Sequence, residues 1–169
     1  MPGARSDSGF GRLGPTATVV VSVYNQMREL ELVLAALAAQ RDLAFDVILA
    51  DDGSSPPARE LAERLALSLP FAIRQVWQSD DGFCKARIQN IAALSTSSDL
   101  LIFLDGDCIP FRDLVAVYRR RALPDEFMAG AVVDLGFAMS RALTPANIRS
   151  GAHESALGVG ARCDLARRQ

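Results

Sequence analysis

Asp105 and Asp107 stand one glycine apart at the end of an apolar run, Leu-Leu-Ile-Phe-Leu at residues 100–104. A short unbroken apolar run reads as a strand buried on both faces, as in a parallel sheet. Residues two apart in an extended chain point to the same side, so the two carboxylates project together if extended geometry persists through Gly106. Gly106 adds no bulk and lets a ligand approach the backbone. Two carboxylates in that position form a hard-oxygen site suited to Mg²⁺ or Mn²⁺, ions that keep some water and bind phosphates. Aspartates also end strands as turn formers or helix caps, so the pair needs support from the rest of the chain.

Support comes from the elements that precede it. Residues 17–23 are β-branched and apolar and read as a buried strand ending at Tyr24-Asn25. Leu30, Val33, Leu34 and Leu37 then fall on one helical stripe. Residues 45–50 read as a second strand that stops at Asp51-Asp52-Gly53-Ser54-Ser55-Pro56-Pro57, a dense turn signal. A helix with Leu61, Leu65 and Leu69 on one side follows, with Pro57 near its first turn. Residues 71–77 read as a third strand, broken by Asp80-Asp81-Gly82. Residues 84–96 read as a helix with Ile88, Ile91 and Ala92 inward. After residues 100–104 comes a helix over 113–122 with Leu114, Val117 and Tyr118 on one face. Arg119, Arg120 and Arg121 fall in its last turn, where cations complement the helix dipole. Beyond Pro124, residues 127–133 are expected to form a strand. Short helical pieces surround Thr144-Pro145, and residues 152–169 are expected to be loosely ordered.

This alternation gives an α/β fold, a mostly parallel sheet with helices on both faces. Ligands of such sheets bind outside the carboxyl ends of the strands. Three of those ends carry acids: Asp51/Asp52, Asp80/Asp81 and Asp105/Asp107. Gathered in one crevice they would repel each other, an arrangement tolerated mainly where a cation or donor-rich ligand binds.

Composition narrows the function classes. Across 169 residues half are hydrophobic, enough for one domain with a sizeable core. The net charge of −2 provides no basic field for nucleic acid or an anionic membrane. Cys84, Cys108 and Cys163 have no metal or redox spacing and are expected to be free thiols in a reducing cytosol. His153 is the sole histidine, which argues against a zinc site built from several imidazoles; a surface position is expected for it. No apolar stretch reaches the roughly 18 residues of a membrane span. Residues 1–16, rich in Gly, Ser, Pro and Arg, read as a flexible lead-in without the apolar middle of a signal peptide.

Taken together, Ser22-Val23-Tyr24-Asn25, Asp51-Asp52-Gly53-Ser54-Ser55, Asp81-Gly82-Phe83 with Lys85, Arg87 and Asn90, and Asp105-Gly106-Asp107 resemble the family 2 inverting glycosyltransferases of the GT-A (Rossmann-like) fold. The resemblance spans about residues 18–118, the nucleotide-sugar half of that fold, and it implies a division of labour. Tyr24 and Asn25 would line the nucleotide pocket. Asp51 or Asp52 would accept a hydrogen bond from the base or ribose, and Asp80 or Asp81 would sit beside the base. Arg87 would support the base or diphosphate, with Asn90 holding the loop. Asp105 would touch the ribose or a water, and Asp107 would ligate the Mn²⁺ or Mg²⁺ that bridges the phosphates. The donor would be a nucleotide-diphosphate sugar, uridine-linked by family default, and the acceptor a glycan or lipid-linked hydroxyl. A cytoplasmic location, peripheral at the inner membrane face in many relatives, goes with that reading. Lys85 is expected to be solvated, Phe83 to pack under its loop, and Cys108 to be a small buried apolar residue.

Two departures qualify the resemblance. Ser22 stands where the family usually carries proline. No second acidic motif follows residue 143 to supply the general base that an inverting transfer needs; Glu154 and Asp164 are isolated. The chain is therefore expected to be a fragment, a short paralogue or one piece of a split enzyme. Three readings follow. The first is a transferase. The second is a non-catalytic or split nucleotide-sugar-binding module needing a partner chain. The third is a haloacid-dehalogenase-type phosphohydrolase, disfavoured because no lysine follows Lys85.

Overall fold

The computed structural model describes residues 14–156 and 166–167. Four strands form a parallel sheet: β1 (Ala17–Val23), β2 (Phe45–Asp51), β3 (Ile73–Trp77) and β4 (Leu100–Asp105), in spatial order β3-β2-β1-β4. The chain moves outward from β1 through β2 to β3 and then returns to the other side of β1. That reversal makes the β1/β4 junction the switch point, where the carboxyl ends leave a crevice. The register aligns those ends: Val23 opposes Asp51, and Ser22 opposes Asp105.

Period-2 alternation divides the sheet into two faces. Val19, Val21 and Val23 of β1 meet the stripe Leu30, Val33, Leu34 and Leu37 of α1 (Met27–Ala38), together with Val115 and Tyr118 of α4 (Leu114–Arg121). Ala62 of α2 (Pro56–Ala66) joins the same core. On the opposite face, Val20, Ile48 and Ala50 pack against Ile88 and Ala92 of α3 (Lys85–Leu94). Each fully buried Leu, Ile or Val contributes about 1.5–3 kcal/mol of apolar transfer energy, so the fit of the α1 stripe largely decides this face.

Several sequence expectations need correction. β4 is an edge strand and is not buried on both faces. Its Ile102 enters the α1 core, but Phe103, opposite Val20 on the α3 face, is 51% exposed. Alternating burial explains the misreading, because a strand with one bare face can still be apolar throughout. In α3, Ile88 and Ala92 are buried, but Ile91 is 43% exposed; it lies about 80° round the helix from the line midway between those two, a little under a quarter of a turn. In α2 the buried positions are Ala58 and Ala62; Leu65, and Leu69 beyond the helix's end, are only partly covered. Arg119 does more than complement a dipole: it donates to the Pro15 carbonyl at 3.0 Å and pairs with Asp42 at 2.6 Å.

The predicted strand over 127–133 reduces to β5 (Met128–Ala129), paired antiparallel with β6 (Ala166–Arg167), because Gly130 and the residues after it leave the ladder. Downstream lie α5 (Phe137–Ala142), α6 (Pro145–Ser150) and α7 (Ala152–Ala156). A capping box starts α6: Thr144 Oγ1 accepts from Asn147 N, and Asn147 Oδ1 accepts from Thr144 N at 2.8 Å. Ile148 and Leu143 pack on Leu32, Ala35 and Ala36, so α1 is covered on its outer side as well. His153, expected at the surface, is buried, with neither ring nitrogen hydrogen-bonded. Residues 1–13 of the expected lead-in lie outside the described residues, as do 157–165 and 168–169 of the expected loose tail. Thr16 is pinned to Asp99 by its backbone N–H and its hydroxyl, at 2.9 and 2.8 Å. Among the described residues no helix is long and apolar enough to cross a membrane.

Candidate active site

A cavity of about 390 Å³ opens at the carboxyl ends of the strands, on the α3 side of the sheet. Tyr24, Asp52, Asp80, Lys85, Asp105 and Asp107 line it, with Ile88 and Ala50 at its floor. These come from all four strand ends and the start of α3, so the topology alone gathers residues scattered over the chain.

At the switch point, Gly106 lets β4 run against the end of β1. A Cβ there would collide with the Ser22 carbonyl and lie 2.7 Å from Gln26 Oε1. The Ser22 hydroxyl accepts from Gln89 Nε2 of α3 at 2.8 Å, which ties the end of β1 to the helix beneath the cavity. Asn25 adopts a left-handed backbone with φ 54°. Its Oδ1 accepts from both the backbone N–H and the hydroxyl of Ser55, at 2.9 and 2.8 Å. Asn25 therefore locks the β1 end to the β2 turn and does not line the cavity.

The β2 turn separates its two acids. Asp51 continues the alternation of Val47 and Leu49 and falls on the α1 side, 1% exposed. Its carboxylate accepts from Ser54 N at 2.7 Å and from Gln75 Nε2. Asp52 falls on the α3 side, 7% exposed, and faces the cavity. It accepts from Gln78 Nε2 and, at 2.9 Å, from the backbone N–H of Cys84, the residue capping α3. A carboxylate there suits the positive end of the helix dipole. Gly53, at φ 97°, permits this turn to press on the Asp80 backbone, 2.6 Å from where a Cβ would sit.

At the end of β3, Asp80 lines the cavity and Asp81 lies outside the lining. Tyr24 Oη donates to Asp80 Oδ2 at 2.9 Å, which raises the phenol's pKa. Asp81 pairs with Arg87 at 3.1 Å, and Arg87 Nε donates to Gln78 Oε1 at 2.8 Å. Arg87 and Asp81 thus brace Gln78, which in turn holds Asp52.

The β4 end carries the densest chemistry. One ligand atom from each of Asp105, Asp107 and Cys108 lies within 4.8 Å of the other two. Lys85 Nζ pairs with Asp105 Oδ1 across the cavity. The Cys108 thiol is pushed up by burial and then by the charges of Asp107 and Asp105. Two exposed carboxylates that share a rim, Asp105 and Asp107, fit a divalent cation with oxygen preference.

Of the residues singled out from sequence, Tyr24, Asp52, Asp105 and Asp107 line the cavity; Asn25, Asp51, Asp81 and Arg87 do not. Lys85 was expected to be solvated and is instead an ion-pair partner inside the cavity. Phe83 was expected to pack under its loop; it is 90% exposed at the cavity mouth. Cys108 is only half-buried and sits beside carboxylates. Lys85 carried a signal: it opens α3, where a cation opposes the helix dipole unless an anion faces it.

The fold has known counterparts. The mannosyltransferase PcManGT of Pyrobaculum calidifontis, solved with GDP-Man and Mn²⁺, superposes with a TM-score of 0.61 at 24% identity, over 72% of this chain and 36% of that one. TarS of S. aureus, residues 1–349 with UDP, gives 0.51 at 22% identity, over 62% and 32%. By sequence, the glycosyltransferase YfnE of Bacillus subtilis is 32% identical over 101 residues, 59% of this chain and 25% of that protein. Glycosyltransferase AglE of Haloferax volcanii is 28% identical over 98 residues, 57% and 32%. The chain spans about a quarter to a third of the length of these two relatives. The model of "Glycosyl transferase family 2" matches residues 18–146, from β1 through the start of α6, and the chain belongs to that family.

Proposed function

We propose that this chain is the donor-binding half of a metal-assisted, inverting sugar transferase that uses a nucleotide-diphosphate sugar. One observation carries the reading: four strand ends remote in sequence converge on one cavity, with Asp105 and Asp107 together at the switch point. Tyr24, Asp52 and Asp80 form the wall for the nucleoside, and the carboxylates of Asp52 and Asp80 accept from base or ribose donors. Asp107, with Asp105 beside it, would hold Mn²⁺ or Mg²⁺. When bound, the cation supplies Lewis-acid neutralisation of the charge that builds on the leaving nucleoside diphosphate. Uridine is the family default, and guanosine is the second candidate because PcManGT was solved with GDP-Man while TarS was solved with UDP.

Inverting transfer also requires a base to take the proton of the attacking acceptor hydroxyl. Among the described residues, none that lines the cavity lies beyond Asp107. That observation favours the split reading for this chain, in which donor binding resides here and the acceptor side, with its base, comes from elsewhere. The acceptor is a glycan or a lipid-linked hydroxyl, met in the cytoplasm or at the inner membrane face.

Titration calorimetry of the folded chain with UDP and with GDP, each with and without Mn²⁺, tests the reading. Metal-dependent binding of one nucleotide, lost in Asp107→Ala, is the expected result. Absence of metal-dependent binding of either nucleotide removes it. Sugar transfer by the purified chain alone would overturn the split reading and leave donor binding intact.

A further inference from the structure

Among the described residues lining the cavity, Lys85 is the one cation, facing Asp52, Asp80, Asp105 and Asp107. Its position is costly by itself. It is the first residue of α3, no acid lies in that helix's first turn, and the helix dipole there is positive. The ammonium is nonetheless drawn inward, with Lys85 31% exposed, onto Asp105 Oδ1. Asp105 belongs to the carboxylate cluster assigned to the divalent cation, so the lysine and the metal compete for one oxygen.

We infer that Lys85 is an internal counter-ion that holds Asp105 while the donor site is empty and gives it up only when metal and nucleotide diphosphate arrive together. The inference rests on the metal-assisted reading above. Metal alone must displace a neighbouring ammonium and then leave two cations repelling each other while they share the carboxylates of one rim. With a nucleotide diphosphate present, the freed ammonium gains the anionic diphosphate as a partner, and the repulsion is removed. Lys85 therefore couples the two ligands: it opposes Mn²⁺ without nucleotide and favours the ternary state. Coupling of this kind is reciprocal, so Mn²⁺ tightens the nucleotide by the factor by which the nucleotide tightens Mn²⁺.

The test is Mn²⁺ binding, followed by the paramagnetic resonance of free Mn²⁺, with and without saturating UDP or GDP, for wild type, Lys85→Gln and Arg74→Gln. Arg74 bonds Ser95 and lies outside the cavity lining, so its variant changes net charge equally without touching the site. Circular dichroism confirms folding. Lys85→Gln is expected to bind Mn²⁺ alone roughly threefold to fivefold more tightly, the span of a half-exposed ion pair. Its nucleotide–metal coupling is expected to fall by at least that factor, with Arg74→Gln matching wild type on both counts. Unchanged or weaker Mn²⁺ binding in Lys85→Gln, unchanged coupling, or an equal effect in Arg74→Gln overturns the inference. Asp107-dependent Mn²⁺ binding that ignores Lys85 removes only the counter-ion role. Absence of Mn²⁺ binding from every form, with nucleotide present, removes the metal-assisted reading as well.

Discussion

Ser22 on β1 and Asp105 on β4 are register partners, and the Ser22 carbonyl fills the space that a side chain on Gly106 would need. The Asp105-Gly106-Asp107 turn is therefore built against the neighbouring strand's backbone, which cannot step aside as a flexible side chain can. Gly106→Ala should cost about 1–3 kcal/mol of stability through overpacking and should also lose metal-dependent nucleotide binding. Gly136→Ala, which has open space and an ordinary backbone, should stay within about 0.5 kcal/mol of wild type. Urea denaturation of both variants, with calorimetry on the folded fraction, checks the contrast.

Asp51 and Asp107 are both strand-end acids with opposite duties. Asp51 is buried and accepts from Ser54 N and Gln75, so Asp51→Ala orphans buried donors and should cost about 1–3 kcal/mol. Asp107 is exposed, and Asp107→Ala should leave stability within about 0.5 kcal/mol while abolishing Mn²⁺-dependent nucleotide binding. If Asp107→Ala were the strongly destabilised variant, the assignment of the two acids would be reversed.

Hydrophobic period and turn chemistry made the strands and the positions of the acids legible, because buried β-branched runs and Asp-Gly turns have few other readings. Which acid of each pair faces the cavity was not legible. Asp51 and Asp52 are adjacent, so they point to opposite faces, and only the folded sheet shows that the crevice opens over α3. Lys85 eluded the reading for a similar reason: its partner Asp105 is twenty residues away and meets it only because α3 packs under the β1/β4 junction. The bare face of β4 was hidden because composition reports how apolar a strand is and not whether a neighbour covers it. The helical pieces around Thr144-Pro145, by contrast, were legible because their signals are local, although the capping box that starts α6 emerged only in the fold.

Acid should loosen the junction of β4 with the residues before β1. The Asp99 carboxyl lies below its ordinary range, first because Thr16 N–H donates to it and then because the Thr16 hydroxyl does. A depressed folded-state value means that the stabilisation is complete above the unfolded carboxylate pKa, about 3.9. It is lost as the pH falls through the lower folded value. Asp99→Asn should therefore flatten the acid limb of a stability–pH profile below about pH 4 and change nothing in its slope between about pH 6 and 8. An acid limb identical to wild type would show that the Thr16 contact carries no linkage.

The last prediction concerns the helices beyond the matched motifs. Ile148 of α6 is fully buried against Leu32, Ala35 and Ala36, on the side of α1 that faces away from the sheet. Arg28 of α1 reinforces the seam by donating to the carbonyls of Ser140 and Leu143 at 2.9 and 3.2 Å. If this seam belongs to the same cooperative unit as the sheet, Ile148→Ala should lower global stability by about 2–5 kcal/mol. If α6 opens separately, the variant should leave the main urea transition in place and speed amide exchange only in residues 144–151. The contacts on α1, whose inner stripe is the centre of the sheet's core, favour the first outcome. Hydrogen exchange measured beside the urea transition decides between them.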